Sequence, residues 1–417
     1  MDDEIKPYEI AVPEADLADL KVRLARSRFP DELEAAEWDL GAPLADVKRL
    51  SKHWQTTFDW RAAEARLNRF PQFTTDVAAE GFEPVNLHFI HRRSEDPDAV
   101  PLLFIHGWPG SVYEGSKLID ALTQAQDQGG ADDGPKFHVV APSLPNYGFS
   151  SGVGRRGFSI DQYAEVLNKL MLRLGYDRYA TQGGDWGWFI SRALSHHYPQ
   201  HVKATHLNLD VARPPGWLRH PVLALEHGVR PYSKHERDGF ARSAWFLKEG
   251  SGYGAMHSTK PQTIGYGLSD SPVALLSWIY EKLHDWTDDY PWTDDEILTW
   301  ISIYWFSTAG PAASVRIYYE FARVNRGEAT RPGQMTQEQM MDWQPVVVGY
   351  SHFPKDVIVR PSVWTRTGGR VVFERTHPSG GHFPAWERPE DIAGDLREMF
   401  GRNGTAAVAV RGAGSKL

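Results

Sequence analysis

Gly183-Gly184-Asp185-Trp186-Gly187 is the most informative stretch of the chain. A strand pattern at 178–183 leads into it and helical spacing at 188–198 follows, so the pentapeptide is the turn between a strand and a helix. Its spacing is that of a nucleophile elbow, G-x-S-x-G, with Asp185 in the place of the serine. Flanking glycines permit the tight turn that lifts one side chain above the sheet edge. A turn whose Asp merely caps the next helix would use the same letters, so the decision rests on the rest of the chain.

Working outward, Leu102-Leu103-Phe104-Ile105 is a short apolar run of the kind buried on both faces of a parallel sheet, and His106-Gly107-Trp108-Pro109-Gly110 follows it. Downstream, Asp356 stands just before Val357-Ile358-Val359, which reads as a strand. His382 stands in Gly380-Gly381-His382-Phe383-Pro384, between the strand pattern Val371-Val372-Phe373 and a final helix. Nucleophile, then acid, then histidine, each beside a strand, is the order an α/β-hydrolase fold requires. In that fold the backbone N–H groups of Trp108 and Trp186 are the candidate oxyanion hole.

The wider pattern supports an α/β fold with a mainly parallel central sheet. Residues 1–95 read as an N-terminal segment with an amphipathic helix through Leu17, Leu20 and Leu24, and a second helix opening at Asp59-Trp60-Arg61. Residues 96–212 read as the first part of the α/β core. Ser159 and Gln162 there have capping-box spacing ahead of Tyr163, Val166, Leu167, Leu170, Met171 and Leu174. From 213 to 345 the alternation is lost to helices rich in Trp and Tyr, one of them capped by Thr293 and Glu296; this is the expected cap. Residues 346–400 complete the core. The small, Gly-rich stretch 401–417 is expected to be a flexible tail.

Composition narrows the function. The 417 residues are 41% hydrophobic and 24% charged, ordinary globular values. The net charge of −9 argues against a nucleic-acid binder or a polybasic membrane-surface protein. The absence of cysteine excludes disulfides, thiolate metal sites and a thiol nucleophile. Sixteen Trp, 16 Tyr and 19 Phe are enough to line an apolar pocket as well as a core. Neither a signal peptide nor an apolar stretch of about 20 residues is evident, so a soluble intracellular protein without a membrane anchor is expected.

Asp in place of Ser sets the chemistry. A carboxylate attacks an alkyl carbon and becomes the carbonyl half of an ester. Water then attacks the enzyme's own carbonyl, so the oxyanion hole serves the second step. The leaving group is a halide or a strained epoxide oxygen. The chain resembles the microsomal class of epoxide hydrolases, which includes juvenile-hormone and soluble fungal enzymes. The resemblance runs from Pro7 to about Phe400 through Phe58-Asp59-Trp60-Arg61, the motifs around Trp108 and Asp185, Ser258-Thr259-Lys260-Pro261 and Ser271-Pro272. It implies Asp185 as nucleophile, His382 as general base and Asp356 as the acid that orients it. It also implies that Tyr253 and Tyr318 hold the epoxide oxygen, with neighbouring Tyr319 as the alternative to Tyr318. The implied partner is a small hydrophobic epoxide. No cofactor, metal or nucleic acid is expected, and a homodimer stays open.

Other signals carry less. Gly152-Val153-Gly154-Arg155-Arg156-Gly157 matches G-x-G-x-x-G but lies about ten residues beyond the preceding strand, outside its turn. Asp285, Asp288, Asp289, Asp294 and Asp295 lack the spacing of a calcium loop. His196-His197 lacks a Glu partner. The rival readings are a haloalkane dehalogenase, which shares the elbow Asp, and a non-enzymatic binding protein of the same fold, which would not need all three members of the set. The final Ser415-Lys416-Leu417 has the form of a peroxisomal import signal, so a peroxisomal location is expected in a eukaryotic source and a cytoplasmic one otherwise.

Overall fold

The computed structural model describes residues 4–124, 134–401, 404 and 406–411. Nine strands form one sheet: β1 (Lys6–Pro7), β2 (Gln72–Val77), β3 (Val85–Arg92), β4 (Val100–Ile105), β5 (Phe137–Pro142), β6 (Tyr179–Gly183), β7 (Val202–Leu207), β8 (Gln344–His352) and β9 (Gly369–Thr376). Their spatial order is β1-β2-β3-β5-β4-β6-β7-β8-β9. Pairing is antiparallel from β1 as far as β5 and parallel from β5 to β9. The sheet is therefore mainly parallel with an antiparallel edge. Phe104, Val139, Ala180 and Ala204 face one apolar layer, and Leu103, Ile105, Val140 and Leu207 the other. Such two-faced burial is why these strands read as continuous apolar runs.

Between β7 and β8 the chain leaves the sheet for eight α-helices, from Pro221–Val229 to Gln337–Met341. Several begin at signals written in the sequence. Thr293 and Glu296 form the complete reciprocal box ahead of the helix Asp294–Trp305. Ser159 and Gln162 form the box expected ahead of the helix Ile160–Arg173, with Gln162 Oε1 accepting from the Ser159 N–H at 2.9 Å.

The N-terminal segment braces these helices. The helix Leu44–Thr56, whose Val47, Leu50 and Trp54 fall on one face, was not among those expected from the sequence; it packs against Pro272–Asp285 and Asp294–Trp305. Trp54 Nε1 donates to Ser302 Oγ at 3.1 Å, Tyr280 OH donates to Asp46 at 3.2 Å, and Arg49 pairs with Asp294.

Two expectations need correction. Val357-Ile358-Val359 is not a strand; the strand is Gln344–His352, and the chain leaves the sheet before Asp356. Pro354 and Pro361 bracket the triplet and cannot donate to a ladder. Val359 N–H instead donates to Ser243 Oγ of a cap helix at 2.9 Å. An apolar run reports burial, and a buried loop satisfies it as well as a strand. The stretch from 401 is also not wholly a loose tail. Ala407–Arg411 is a short helix, Ala406 and Val410 join the core, and Arg178 donates to the carbonyls of Ala409 and Val410. Ser415, Lys416 and Leu417 lie outside the described residues. Among the described residues no helix is long and apolar enough to cross a membrane.

Candidate active site

Asp185 stands at the end of β6 with φ of +47°, a left-handed conformation that is strained for a residue with a side chain. The surroundings over-determine it. A Cβ at Gly187 would collide with the carbonyl oxygen of Ile105 in β4, and one at Gly107 would collide with the Asp185 carboxylate. Both glycines are needed for the elbow to sit this close to β4. The Trp108 N–H, in the loop after β4, donates to Asp185 Oδ1 at 2.8 Å. The Trp186 N–H lies in the first turn of the helix Asp185–His197, where backbone donors have no intrahelical acceptor.

His382 reaches the same carboxylate from the loop after β9. Its Nε2 lies 3.2 Å from Asp185 Oδ2, and its Nδ1 lies 2.6 Å from Asp356 Oδ1, in the loop after β8. The backbone holds both ends. His382 N–H donates to the Trp286 carbonyl at 2.7 Å, and Val357 N–H donates to Asp356 Oδ1 at 2.6 Å. Burial by itself lowers the affinity of His382 for a proton. The charge of Asp356, with the hydrogen bonds and charge of Asp185, outweighs it and raises the imidazole to about 10.

The cap closes over this trio. Tyr253, in the helix Gly252–Thr259, stacks on Trp108 with ring centroids 5.0 Å apart. Tyr318, in the helix Arg316–Asn325, stands edge-on to Trp186 at 4.7 Å and to Tyr253 at 5.8 Å. Tyr319 points elsewhere, its hydroxyl accepting from Arg156 at 3.2 Å. Burial, then the charge of Asp185, holds the Tyr253 phenol well above its ordinary range. Burial does the same for Tyr318, followed by the charges of Tyr253 and Asp185. Both therefore remain donors at neutral pH, and the Tyr318 hydroxyl interacts with that of Tyr253, its hydrogen bond favouring charge on Tyr253 over charge on Tyr318. Trp108, Trp186, Trp286 and His257 surround the phenols with aromatic rings.

All seven sequence-derived residues, Asp185, His382, Asp356, Tyr253, Tyr318, Trp108 and Trp186, thus gather in one cluster. Several neighbours had no sequence signal. Glu114, pushed up to about 8 by burial, lies under the charges of His382 and Asp185. Glu387, pushed up to about 7 by burial, accepts from the N–H groups of Asp288 and Phe383. His257 and Lys282 are buried beside Tyr253. Isolated acidic, basic and histidine letters do not disclose burial. The other signals resolve into ordinary structure: 152–157 is a loop, His197 Nε2 meets Asp161 at 2.7 Å, and Asp288 accepts from Gly380 N–H at 2.8 Å. Among the described residues no three His, Cys, Asp or Glu side chains are grouped to hold a metal ion.

Comparison with known proteins gives one answer along the chain. Residues 5–115 match the family described as epoxide hydrolase N terminus, and residues 100–226 match the alpha/beta hydrolase fold. Epoxide hydrolase 1 of Sus scrofa is 33% identical over 96% of this chain and 89% of its own length. The solved epoxide hydrolase of Aspergillus niger is 36% identical, with a TM-score of 0.79 over 94% of this chain and 95% of that one. The juvenile hormone epoxide hydrolase of Bombyx mori superposes with a TM-score of 0.82 at 28% identity, covering 94% and 93% of the two chains.

Proposed function

The chain belongs to the epoxide hydrolases, and on that premise we propose that it opens a small hydrophobic epoxide to a vicinal diol through an alkyl ester on Asp185. With the family established, the haloalkane dehalogenase and the non-enzymatic binding protein fall away. One observation carries the mechanism: Asp185 receives the Trp108 N–H on one oxygen and the His382 imidazole on the other, beneath two buried phenols.

In the resting site His382 is an imidazolium between two carboxylates. An Asp185 oxygen bonds to an epoxide carbon, that carbon's bond to oxygen breaks, and the oxygen takes a phenolic proton from Tyr253 or Tyr318. Ester formation removes the charge of Asp185, one of the influences that raised His382. The imidazolium can then return its proton through solvent to the tyrosinate. The neutral imidazole, oriented by Asp356, takes a proton from water as the hydroxide attacks the ester carbonyl of Asp185. Negative charge on that carbonyl oxygen meets the N–H groups of Trp108 and Trp186. Collapse releases the diol and restores Asp185 as a carboxylate beside imidazolium.

A single turnover in ¹⁸O-labelled water tests the ester. The first diol formed carries an unlabelled oxygen from Asp185, and the label enters the carboxylate. Full labelling of that first diol would mean direct attack by water and would end the covalent reading.

A further inference from the structure

Lys282 lies in the cap helix Pro272–Asp285 with its side chain only 3% exposed. Lysine is almost never buried so completely unless its charge is matched or used, because removing an ammonium from water is costly. Its ion-pair partner is the adjacent Glu281, which is itself partly exposed and screened by solvent. The ammonium does not follow that partner outward. It lies 4.9 Å from the centroid of the Tyr253 ring and 5.6 Å from that of Trp278. His257 packs edge-on against both tyrosines and accepts from Trp278 Nε1 at 3.1 Å. Burial, together with the charge of Lys282, pushes His257 down to about 3, so that imidazole brings no positive charge of its own.

We propose that Lys282 is a positioning residue for epoxide opening, stabilising the negative charge that reaches Tyr253 when its proton passes to the departing oxygen. The inference rests on the reading of Tyr253 as a donor to that oxygen. In this step the Asp185–carbon bond forms, the carbon–oxygen bond of the epoxide breaks with its electron pair going to oxygen, and the phenolic proton follows. Charge leaves Asp185 and appears on Tyr253, moving toward the ammonium. A cation is attracted modestly to a neutral aromatic ring and far more strongly to a phenolate, so the interaction grows along the reaction coordinate. Interactions of that kind accelerate the step instead of merely tightening binding. Burial lowers the hold of Lys282 on its proton and raises that of both phenols, so as pH rises the ammonium is lost before either phenol ionises.

Single-turnover kinetics with styrene oxide separate ester formation from ester hydrolysis. The charge of Glu281 also acts on Tyr253, so Lys282→Met and Lys282→Gln are each made with Glu281→Gln and compared with Glu281→Gln alone; they are expected to slow ester formation by about 10-fold or more while changing hydrolysis by less than about 2-fold. Lys282→Arg should recover most of the rate. In a Tyr253→Phe background the same Lys282 substitutions should add less than about 2-fold, because the charge they serve no longer forms. Ester formation at the wild-type rate in the neutral variants would overturn the proposal, as would equal slowing with and without the Tyr253 hydroxyl, which would mark Lys282 as packing alone. If Tyr253→Phe by itself forms ester at the wild-type rate, the reading of Tyr253 as donor fails instead.

Discussion

Two carboxylates meet the imidazole of His382, and each has a separable effect on its proton. Asp356 forms no bond to the substrate, whereas the charge of Asp185 vanishes in the ester. Replacing Asp185 by Asn mimics that loss in a stable protein. The sign follows directly: a negative neighbour favours imidazolium, so its removal must lower the pKa of His382 from about 10 toward the value burial favours. NMR titration of the labelled imidazole in Asp185→Asn checks this, and an unmoved value would show that Asp356 alone sets the proton. His382→Gln should still form the ester but lose hydrolysis by roughly 10²- to 10⁴-fold, the usual contribution of a general base. Mass spectrometry of the intact protein would then find the alkylated enzyme accumulating, and steady turnover without it would remove His382 from that role.

The elements divide the work between a rigid floor and a braced roof. The floor is the elbow, where β4 and the helix Asp185–His197 approach so closely that Gly187 admits no side chain. The roof is the set of helices carrying Tyr253, Lys282 and Tyr318, and the N-terminal helix Leu44–Thr56 supports it from outside. Leu50 is fully buried in that helix. Leu50→Ala removes about 2–5 kcal/mol of packing at a distance from Asp185, so the thermal midpoint should fall while the elbow stays intact. The effect on turnover should appear first in ester formation, which needs the cap tyrosines, and only later in ester hydrolysis, which needs the floor. Equal slowing of both steps would mean that the brace supports the whole molecule and not the cap in particular.

For the molecule as a whole, buried titratable groups set a pH optimum of stability. His88 and His257 are pushed down to about 3, and His91, His106 and His206 to about 4, in each case by burial. Unfolded histidine takes up a proton near 6.5, so between about pH 4 and 6.5 the unfolded chain binds more protons and stability rises with pH. Glu114 and Glu387, raised to about 8 and about 7, and Asp210, also raised by burial, oppose this, but the lowered histidines, which include His138, His196 and His235 as well, outnumber them. Above about 6.5 the sign reverses. The folded state keeps protons on His382 up to about 10 and on Glu114 up to about 8, while the unfolded chain has already released them. The contribution of His382 is complete below about 6.5 and is lost as pH rises toward 10. Thermal unfolding at constant ionic strength should therefore peak between about pH 6 and 7 and decline on both sides; a midpoint still climbing from pH 7 to 9 would contradict this balance.

Short stretches of chain already encode the site's framework. The elbow glycines, the order Asp185, Asp356, His382, and the box at Thr293 and Glu296 each depend on residues within a turn or on simple succession, and an Asp at the elbow already selects attack at an alkyl carbon. The resemblance to a known family added Tyr253 and Tyr318, which no local pattern distinguishes among 16 tyrosines. Where the apolar runs went was settled by packing. Gln344–His352, with Val346-Val347-Val348 at its centre, became the strand between β7 and β9, whereas the similarly apolar Val357-Ile358-Val359 packed against the cap as a loop. The same holds for charge. A lysine and a histidine in sequence are solvated letters until folding removes their water, and it is the meeting of helices distant in sequence that places Lys282 under Tyr253 and His257 between the phenols. Local geometry is fixed by dihedral limits and capping over a few residues, whereas desolvation and convergence are properties of the packed chain.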